Sequence, residues 1–236
     1  MAIDDLPGPV VNFLNVIGVP WPYIDEDTVF QFGTLTRQFG QAVQTTHQEA
    51  TQSIAGIAAA HQGASTQVMH SKWASMSEQH VQELVTGCGI LADALDVAGG
   101  YIIAQKVEAI ATLIGMAAAF VADQAAAVAT FGLAEAAVPL IIEAAEALVK
   151  SLIMDLQQYI IGKVIEAAAK PLFAKVEDAI SGLDWSNASG GASGSSTGFA
   201  MDAAAVRTQI AALRTHADTM RSHGQTFQQG VRGLNF

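Results

Sequence analysis

The stretch Ile57-Ala-Ala-Ala-His-Gln-Gly-Ala-Ser65, followed by Lys72-Trp73, decides the fold of this chain. It is a short run of small and polar residues between two long segments whose apolar residues recur at helical spacing. Gly63 suits the left-handed residue that ends one helix, and Ser65 can cap the next. Two helices joined by so short a turn must lie antiparallel. The sequence therefore predicts a helical hairpin with His61, Gln62 and Gly63 at its turn.

The first helix of this hairpin is expected to run from about 27 to 60, with Asp25 or Asp27 as its cap. Its apolar residues follow one another in steps of three, four and seven, which is typical of a long amphipathic helix with a coiled-coil tendency. This stripe consists of Val29, Phe32, Leu35, Phe39, Val43, Ala50, Ile54 and Ile57.

The second helix is expected to run from about 66 to the pair Gly99-Gly100, which kinks or ends it. Cys88, the one cysteine of the chain, falls on its apolar side and is interpreted as a small buried residue. The buried stripe is Val68 or Met69, Trp73, Met76, His80, Leu84, Cys88, Leu91, Leu95 and Ala98.

Three further helical segments are predicted over 101–136, 139–169 and 171–183, because Pro139 and Pro171 are tolerated only at helix starts. The first two are apolar nearly all round and could form a second antiparallel hairpin, buried against the first hairpin or against a partner. Charged residues recur through both segments. The longest uncharged run, 109–122, is shorter than the roughly 20 residues that a bilayer core requires, so bundle helices are favoured over membrane spans.

A Gly- and Ser-rich stretch over 186–198 is typical of a flexible linker. After it, Asp202 can cap an amphipathic helix over about 203–230, which needs a partner surface to bury its apolar stripe. The sequence thus predicts an all-α helical bundle. Its predicted parts are an N-terminal arm (1–25), the hairpin (26–100), an apolar helical extension (101–185), the linker (186–198) and the first helix of a second, incomplete unit (199–236).

Composition limits the classes of function. Just over half of the 236 residues are hydrophobic and 14% are charged, which is enough for a large core. The formal net charge of −11 argues against nucleic acid and disfavours docking on anionic lipid. One cysteine cannot form an internal disulfide. An acidic N-terminus interrupted by Pro7, Pro9 and Pro20 is unlike a Sec signal peptide.

We find no catalytic pattern in the sequence. None of the six histidines belongs to an HExxH motif or is paired with the cysteine at metal-ligand spacing. No phosphate-binding loop or dinucleotide glycine motif is present, and the carboxylates are scattered over predicted helix faces. We therefore expect a protein that is not an enzyme and takes no cofactor or metal.

The turn 57–65 with Lys72-Trp73 resembles WXG100 proteins, the small helical hairpins exported by type VII secretion. The resemblance is greater to the WXG100-like N-terminal domain of actinobacterial polymorphic toxins, a group that includes a mycobacterial outer-membrane channel protein with a necrotizing toxin domain. It covers roughly 1–185. The segments that carry it are Leu6-Pro-Gly-Pro-Val10, Ile17-Gly-Val-Pro-Trp-Pro22, Trp73-Ala-Ser-Met76, Ala94-Leu-Asp-Val-Ala98 and Phe120-Val-Ala-Asp-Gln124.

The sequence departs from the family pattern at two motifs. His61 stands where the family has its motif tryptophan. The family's export signal, a tyrosine followed four residues later by an acid, is placed by analogy at Tyr101 and Gln105, where glutamine replaces the acid. Tyr23-Ile-Asp-Glu-Asp27 fits the letters of the signal but precedes the hairpin.

The resemblance implies a targeting and pairing module of a type VII-secreted, toxin-like protein, secreted or displayed on the cell surface. Its expected partners are a small WXG100 protein or a second copy, and the secretion machinery. A pore-forming or membrane-inserting module and a structural helical adaptor are the alternatives. The expected pairing face consists of Val29, Phe32, Phe39, Val43, Trp73, Met76, Leu84 and Leu91.

Overall fold

The structure, a computed structural model, describes residues 6–22, 24–129, 138–160, 162, 164 and 200–234. The described chain is almost wholly helical, which confirms the predicted all-α bundle. The helices are α1 (Gly8–Ile17), α2 (Glu26–Ala60), α3 (Ala64–Met76), a π-helical turn (Ser77–Val81), α4 (Gln82–Ala129), α5 (Val138–Tyr159) and α6 (Ala203–Arg232); two-residue strands are β1 (His61–Gln62) and β2 (Ala200–Met201).

The contacts divide the chain into two compact units. The first includes the described residues up to Gln31 and those from Ala94 to 164, and the second includes Phe32–Asp93 and 200–234. Helices α2 and α4 therefore contribute residues to both units. The first unit contains α1 and α5, and the second contains the hairpin turn and α6.

A proline near its start and a glycine at its end set the bounds of helix α1. Pro9 lies in its first turn, where a missing backbone N–H costs nothing, and Gly18 ends it with a left-handed φ of 72°. Phe13 is buried, and its ring lies 5.4 Å from that of Phe120 on α4. Trp21, which follows α1, is also buried.

The hairpin is confirmed by a series of contacts between α2 and the following helices. Going towards the start of α2, they join Thr51 to Trp73, His47 to Ser77, Gly40 to Cys88 and Arg37 to Asp93. The order of partners reverses along the chain, so the two arms are antiparallel. Cys88 is buried, as expected for a small core residue.

The turn has a different geometry from the one predicted. Gly63 is extended, with φ −175° and ψ 163°, and not left-handed, while Ser65 lies inside α3 instead of capping it. The physical reason is that β1 pairs antiparallel with β2, with His61 opposite Met201. Extended backbone is needed on both sides of this pairing, so a left-handed helix cap does not fit there.

The Gly99-Gly100 pair does not end the second arm. Helix α4 continues through both glycines to Ala129, so of the two predicted alternatives, a kink or an end of the helix, the end is wrong. A Cβ on Gly99 would lie 2.6 Å from the ring of Phe30, whereas nothing lies within 4 Å of one on Gly100. Gly99 is therefore required for the close approach of Phe30, and the helix tolerates the entropic cost of the pair.

Helix α5 buries one face through Ala145, Val149, Leu152 and Leu156, whose spacing of three and four residues is helical. Its last residue, Tyr159, stacks on Tyr101 of α4 with ring centroids 3.8 Å apart. The predicted break before Pro139, the helix predicted over 171–183 and the predicted linker over 186–198 all lie outside the described residues.

Helix α6 confirms the last predicted helix. The Asp202 carboxylate accepts hydrogen bonds from the backbone N–H groups of Ala204 and Ala205, at 3.0 and 3.1 Å, which satisfies two of the donors left over at a helix start. The Asp202 N–H itself donates to the carbonyl of Ala60, the last residue of α2. The start of α6 is thereby fixed to the end of α2.

Candidate protein–protein interface

Helix α6 lies along α2 in the second unit, in the opposite direction. The ring of Phe227 lies 4.8 Å from that of Phe39 and 6.5 Å from that of Phe32. At the other end, the Gln209 side chain lies 2.8 Å from where a Cβ on Gly56 would be. The small size of Gly56 therefore admits α6 to the surface of α2.

Polar contacts continue this packing between the two ends. His223 Nε2 lies 3.0 Å from Thr46 Oγ1, and His216 Nε2 lies 3.3 Å from Ser53 Oγ. His216 Nδ1 also lies 3.5 Å from a carboxylate oxygen of Glu49. Both histidines of α6 thus face α2, while Arg207, Arg214 and Arg221 are exposed.

The residues of the predicted pairing face differ in their burial in the structure. Val29 and Val43 are buried, whereas Phe32 and Phe39 are half-buried and meet Phe227 of the same chain. The remaining members are Trp73, Leu84 and Leu91, which are half-buried, and Met76, which ends α3 and whose side chain lies outside the described part.

Trp73 packs against the side of α2 that α3 covers. Its ring stacks on His47 with centroids 5.2 Å apart, and its indole N–H donates to Thr51 Oγ1 at 3.0 Å. The His47 ring also contacts the hydroxyl of Ser77. Burial in this stack lowers the pKa of His47 below its ordinary value of 6.5, because an apolar setting disfavours the charged imidazolium.

The turn residues lie beside an open cleft with a volume of about 440 Å³. His61 and Gly63 line it; the side chain of Gln62 lies outside the described part. Among the residues that the structure describes, no three His, Cys, Asp or Glu side chains come together as metal ligands would. The cleft's other lining residues are Ala58, Thr66, Gln67, His70 and Ser71.

The predicted export signal lies within α4. Tyr101 is half-buried under the ring of Tyr159, and Gln105 follows one turn later and is half-buried too. Both residues lie within the uninterrupted helix α4.

Sequence reasoning missed two features of this structure. One is the β1–β2 pairing at the turn, because a two-residue strand carries no periodic signal. The other is the ion pair between Glu26 and Lys106, which brings together two charges eighty residues apart. In the sequence, Lys106 is one of several charged residues along this mostly apolar segment, and nothing there indicates its partner.

Comparison with known proteins identifies the class of this helical hairpin. Residues 3–146 match the model of the WXG100-like domain, and because this is more than half of the chain, the chain belongs to that family. Members of the family are non-enzymatic helical proteins associated with type VII secretion, and WXG100 proteins generally pair with one another. No curated protein and no solved structure matches the chain.

Proposed function

We propose that this chain is the targeting and pairing region of a type VII-secreted, toxin-like protein, and that it pairs through its hairpin with a small WXG100 protein or a second copy. The observation that carries the proposal is the antiparallel hairpin of α2 with α3 and α4, held together from Arg37–Asp93 to Thr51–Trp73. Membership of the WXG100-like family supports it.

The hairpin has the dimensions of a recognition element that binds other helices. Helix α2 runs for 35 residues, and its apolar stripe extends from Val29 to Ile57 with one seven-residue step between Val43 and Ala50. Gly40 brings α4 close to α2, since a Cβ there would lie 3.0 Å from the Cβ of Cys88. A rigid two-helix surface of this kind loses little conformational entropy when a partner helix binds.

Helix α6 occupies part of the surface that the proposed partner needs. It covers Phe32 and Phe39, yet none of its own described residues is fully buried. A partner helix with larger apolar side chains can bury more surface at that position than α6 does. Pairing beside Phe32 and Phe39 then proceeds by exchange of α6 for the partner helix.

In this proposal, the secretion machinery recognises Tyr101 and Gln105 together with an export signal on the partner. Glutamine at the position of the acid leaves the helix surface without the carboxylate of the family motif. The secretion machinery therefore recognises the paired complex, to which the partner contributes the acidic signal.

Export is tested with residues 1–236 fused to a reporter and co-expressed with a neighbouring small WXG100 protein. The hosts are one with an intact type VII system and one that lacks its ATPase. Reporter outside the cell only with the intact system is the expected result, and retention in both hosts contradicts the proposal. Tyr101→Ala tests the signal, and Thr112→Ala is its matched control because Thr112 is an exposed residue of the same helix.

One observation favours a second function, a membrane-inserting module. The stretch Gln82–Ala126 is long and apolar enough to cross a bilayer, and 17% of its most apolar window is buried. Release of a trapped dye from liposomes tests this function. Release at neutral or acidic pH would support insertion, and intact liposomes under both conditions would leave the secretion module as the function.

A further inference from the structure

Helix α4 carries two apolar stripes on opposite faces of its part in the first unit. The inner stripe is buried and includes Leu95, Ile102, Ala109, Leu113 and Ala117. The other stripe, here called the outer seam, is exposed at every position. The outer seam consists of Val97, Gly100, Ala104, Val107, Ala111, Ile114, Ala118, Val121 and Ala125.

The outer seam has the spacing of a coiled coil. Its residues alternate in steps of three and four over four heptads, and no polar or charged side chain interrupts them. Its larger members are well exposed: 52% of Val107, 47% of Ile114 and 66% of Val121 is accessible. A heptad repeat specifies another helix, because neither water nor lipid requires a fixed register.

We propose that the outer seam is the interface between two copies of this chain, which pair through antiparallel α4 helices about a two-fold axis between residues 112 and 113. In this register every layer sets a small residue against one of equal or larger size. The layers are Gly100 with Ala125, Ala104 with Val121, Val107 with Ala118, and Ala111 with Ile114, each occurring twice by symmetry.

The size pattern favours antiparallel over parallel pairing. A parallel pair would set alanine against alanine and valine against valine, so the distance between the helix axes would have to change from layer to layer. In the antiparallel pair the three inner layers each combine an alanine with a valine or isoleucine, so their volumes are similar and two straight helices can approach closely along them. It also aligns the two helix dipoles favourably.

The outer seam is a surface at which a second copy meets no like charge. The chain carries −11 overall, so most of its surface repels another copy. Lys106 is turned inward to Glu26 and leaves the outer seam neutral. Glu108 flanks the seam, and across the proposed pair it lies near Gly115 and Ala122, which bring no like charge.

A bilayer is the less favourable occupant. Insertion of α4 would place Glu108 and Asp123 in hydrocarbon, and it would separate Lys106 from Glu26, which lies on another helix. Pairing with a second copy leaves all four groups where they are. The outer seam also lies outside the proposed hairpin pairing face, so this interface does not depend on the proposed function.

The experiment measures the mass of the full chain by sedimentation equilibrium over a range of concentrations. The first variant is Ile114→Glu, which places one charge from each copy at the centre of the seam. The matched control is Thr112→Glu, two residues earlier on an exposed face outside the seam. We expect a dimer for the wild type and for Thr112→Glu, and a dissociation constant raised at least about tenfold for Ile114→Glu.

Spin labels then test the register. With the buried Cys88 replaced by serine, single cysteines are introduced at Thr112 and at Gln124. The antiparallel pair predicts a short distance between two labels at 112 and an offset of about 35 Å along the axis between two labels at 124. Equal short distances at both positions would indicate parallel pairing and overturn the proposed register.

Three results would overturn the interface itself. They are a monomer at every concentration, a dimer that persists in Ile114→Glu, and binding to liposomes in place of self-association. Circular dichroism of Ile114→Glu checks that the exposed substitution leaves the helices intact, so that loss of the dimer is attributable to the seam. Export of the reporter is measured separately, and either proposal can fail without the other.

Discussion

Lys106 Nζ lies 2.7 Å from Glu26 Oε2, and neither side chain is accessible to solvent. The same ammonium donates to the carbonyl of Ile24, just before α2 begins. The pair therefore joins the start of α2 to the middle of α4 within the first unit. Charges so deeply buried repay their desolvation only when the geometry is good and the remaining donors and acceptors are satisfied.

Breaking this pair is expected to destabilise the protein strongly. Lys106→Met leaves the Glu26 carboxylate buried without its counter-charge, and we expect the free energy of unfolding to fall by about 3–5 kcal/mol. The double variant Glu26→Gln with Lys106→Met removes both charges and should recover part of the loss. Urea denaturation measures both effects. A loss below about 1 kcal/mol in Lys106→Met would show that the pair contributes little.

Two adjacent glycines of α4 should respond in opposite directions to alanine. Gly99→Ala places a Cβ 2.6 Å from the ring of Phe30, an aromatic group that cannot yield easily, so the variant should be destabilised. Gly100→Ala meets nothing within 4 Å and should gain about 0.5–1 kcal/mol from helix propensity. Thermal unfolding of the two variants, side by side, checks the sign of each. Equal shifts would contradict the assigned role of Gly99.

Removing the aromatic contact of α6 should loosen that helix from α2. Phe227→Ala loses the stacks on Phe39 and Phe32, and since Phe227 is half-buried we expect a cost of about 1–2 kcal/mol. Hydrogen exchange in α6 should accelerate, while exchange in α5, which belongs to the other unit, should not change. Gln228→Ala is the control because Gln228 is the exposed neighbour. Unchanged exchange in α6 would show that its polar contacts suffice to hold it.

The cap of α2 is a further point at which a single side chain fixes local structure. Asp25 accepts from the N–H groups of Asp27 and Thr28 and from the Thr28 hydroxyl, at 2.9, 3.3 and 2.8 Å. Asp25→Ala should cost about 1 kcal/mol at neutral pH. The Thr28 hydroxyl bond is the largest cause that holds the Asp25 pKa below 3.8. This stabilisation is present above pH 3.8 and is lost as the pH falls through the folded-state pKa. An equal difference between variant and wild type at pH 7 and pH 2 would contradict it.

How far the sequence predicts this structure depends on the range of each interaction. Periodicity and capping act within a few residues, and they predict the helices near 26–60 and 203–232 and the Asp202 cap. The predicted alternative that the helix ends at Gly99-Gly100 is wrong, because the ring that requires Gly99 comes from Phe30, about seventy residues away. The extended Gly63 depends on β2, and the Glu26–Lys106 pair depends on the packing of distant helices. At the candidate interface, the two arms of the hairpin could be predicted from the sequence. That α6 covers Phe32 and Phe39 could be seen only in the structure.

The stack of His47 on Trp73 makes the hairpin sensitive to mild acid. Burial holds the folded-state pKa of His47 below 6.5, so the unfolded chain takes up a proton at this residue at a higher pH than the folded protein does. The contribution of neutral His47 to stability is therefore present above pH 6.5 and is lost as the pH falls through the folded-state pKa. We expect the free energy of unfolding of the wild type, measured by urea denaturation, to fall between pH 7.5 and pH 5. In His47→Gln it should fall less over the same interval, because glutamine does not titrate. An NMR titration of the His47 ring supplies the folded-state pKa directly. The same slope of stability with pH in both proteins would show that the stack does not exclude the charged imidazolium.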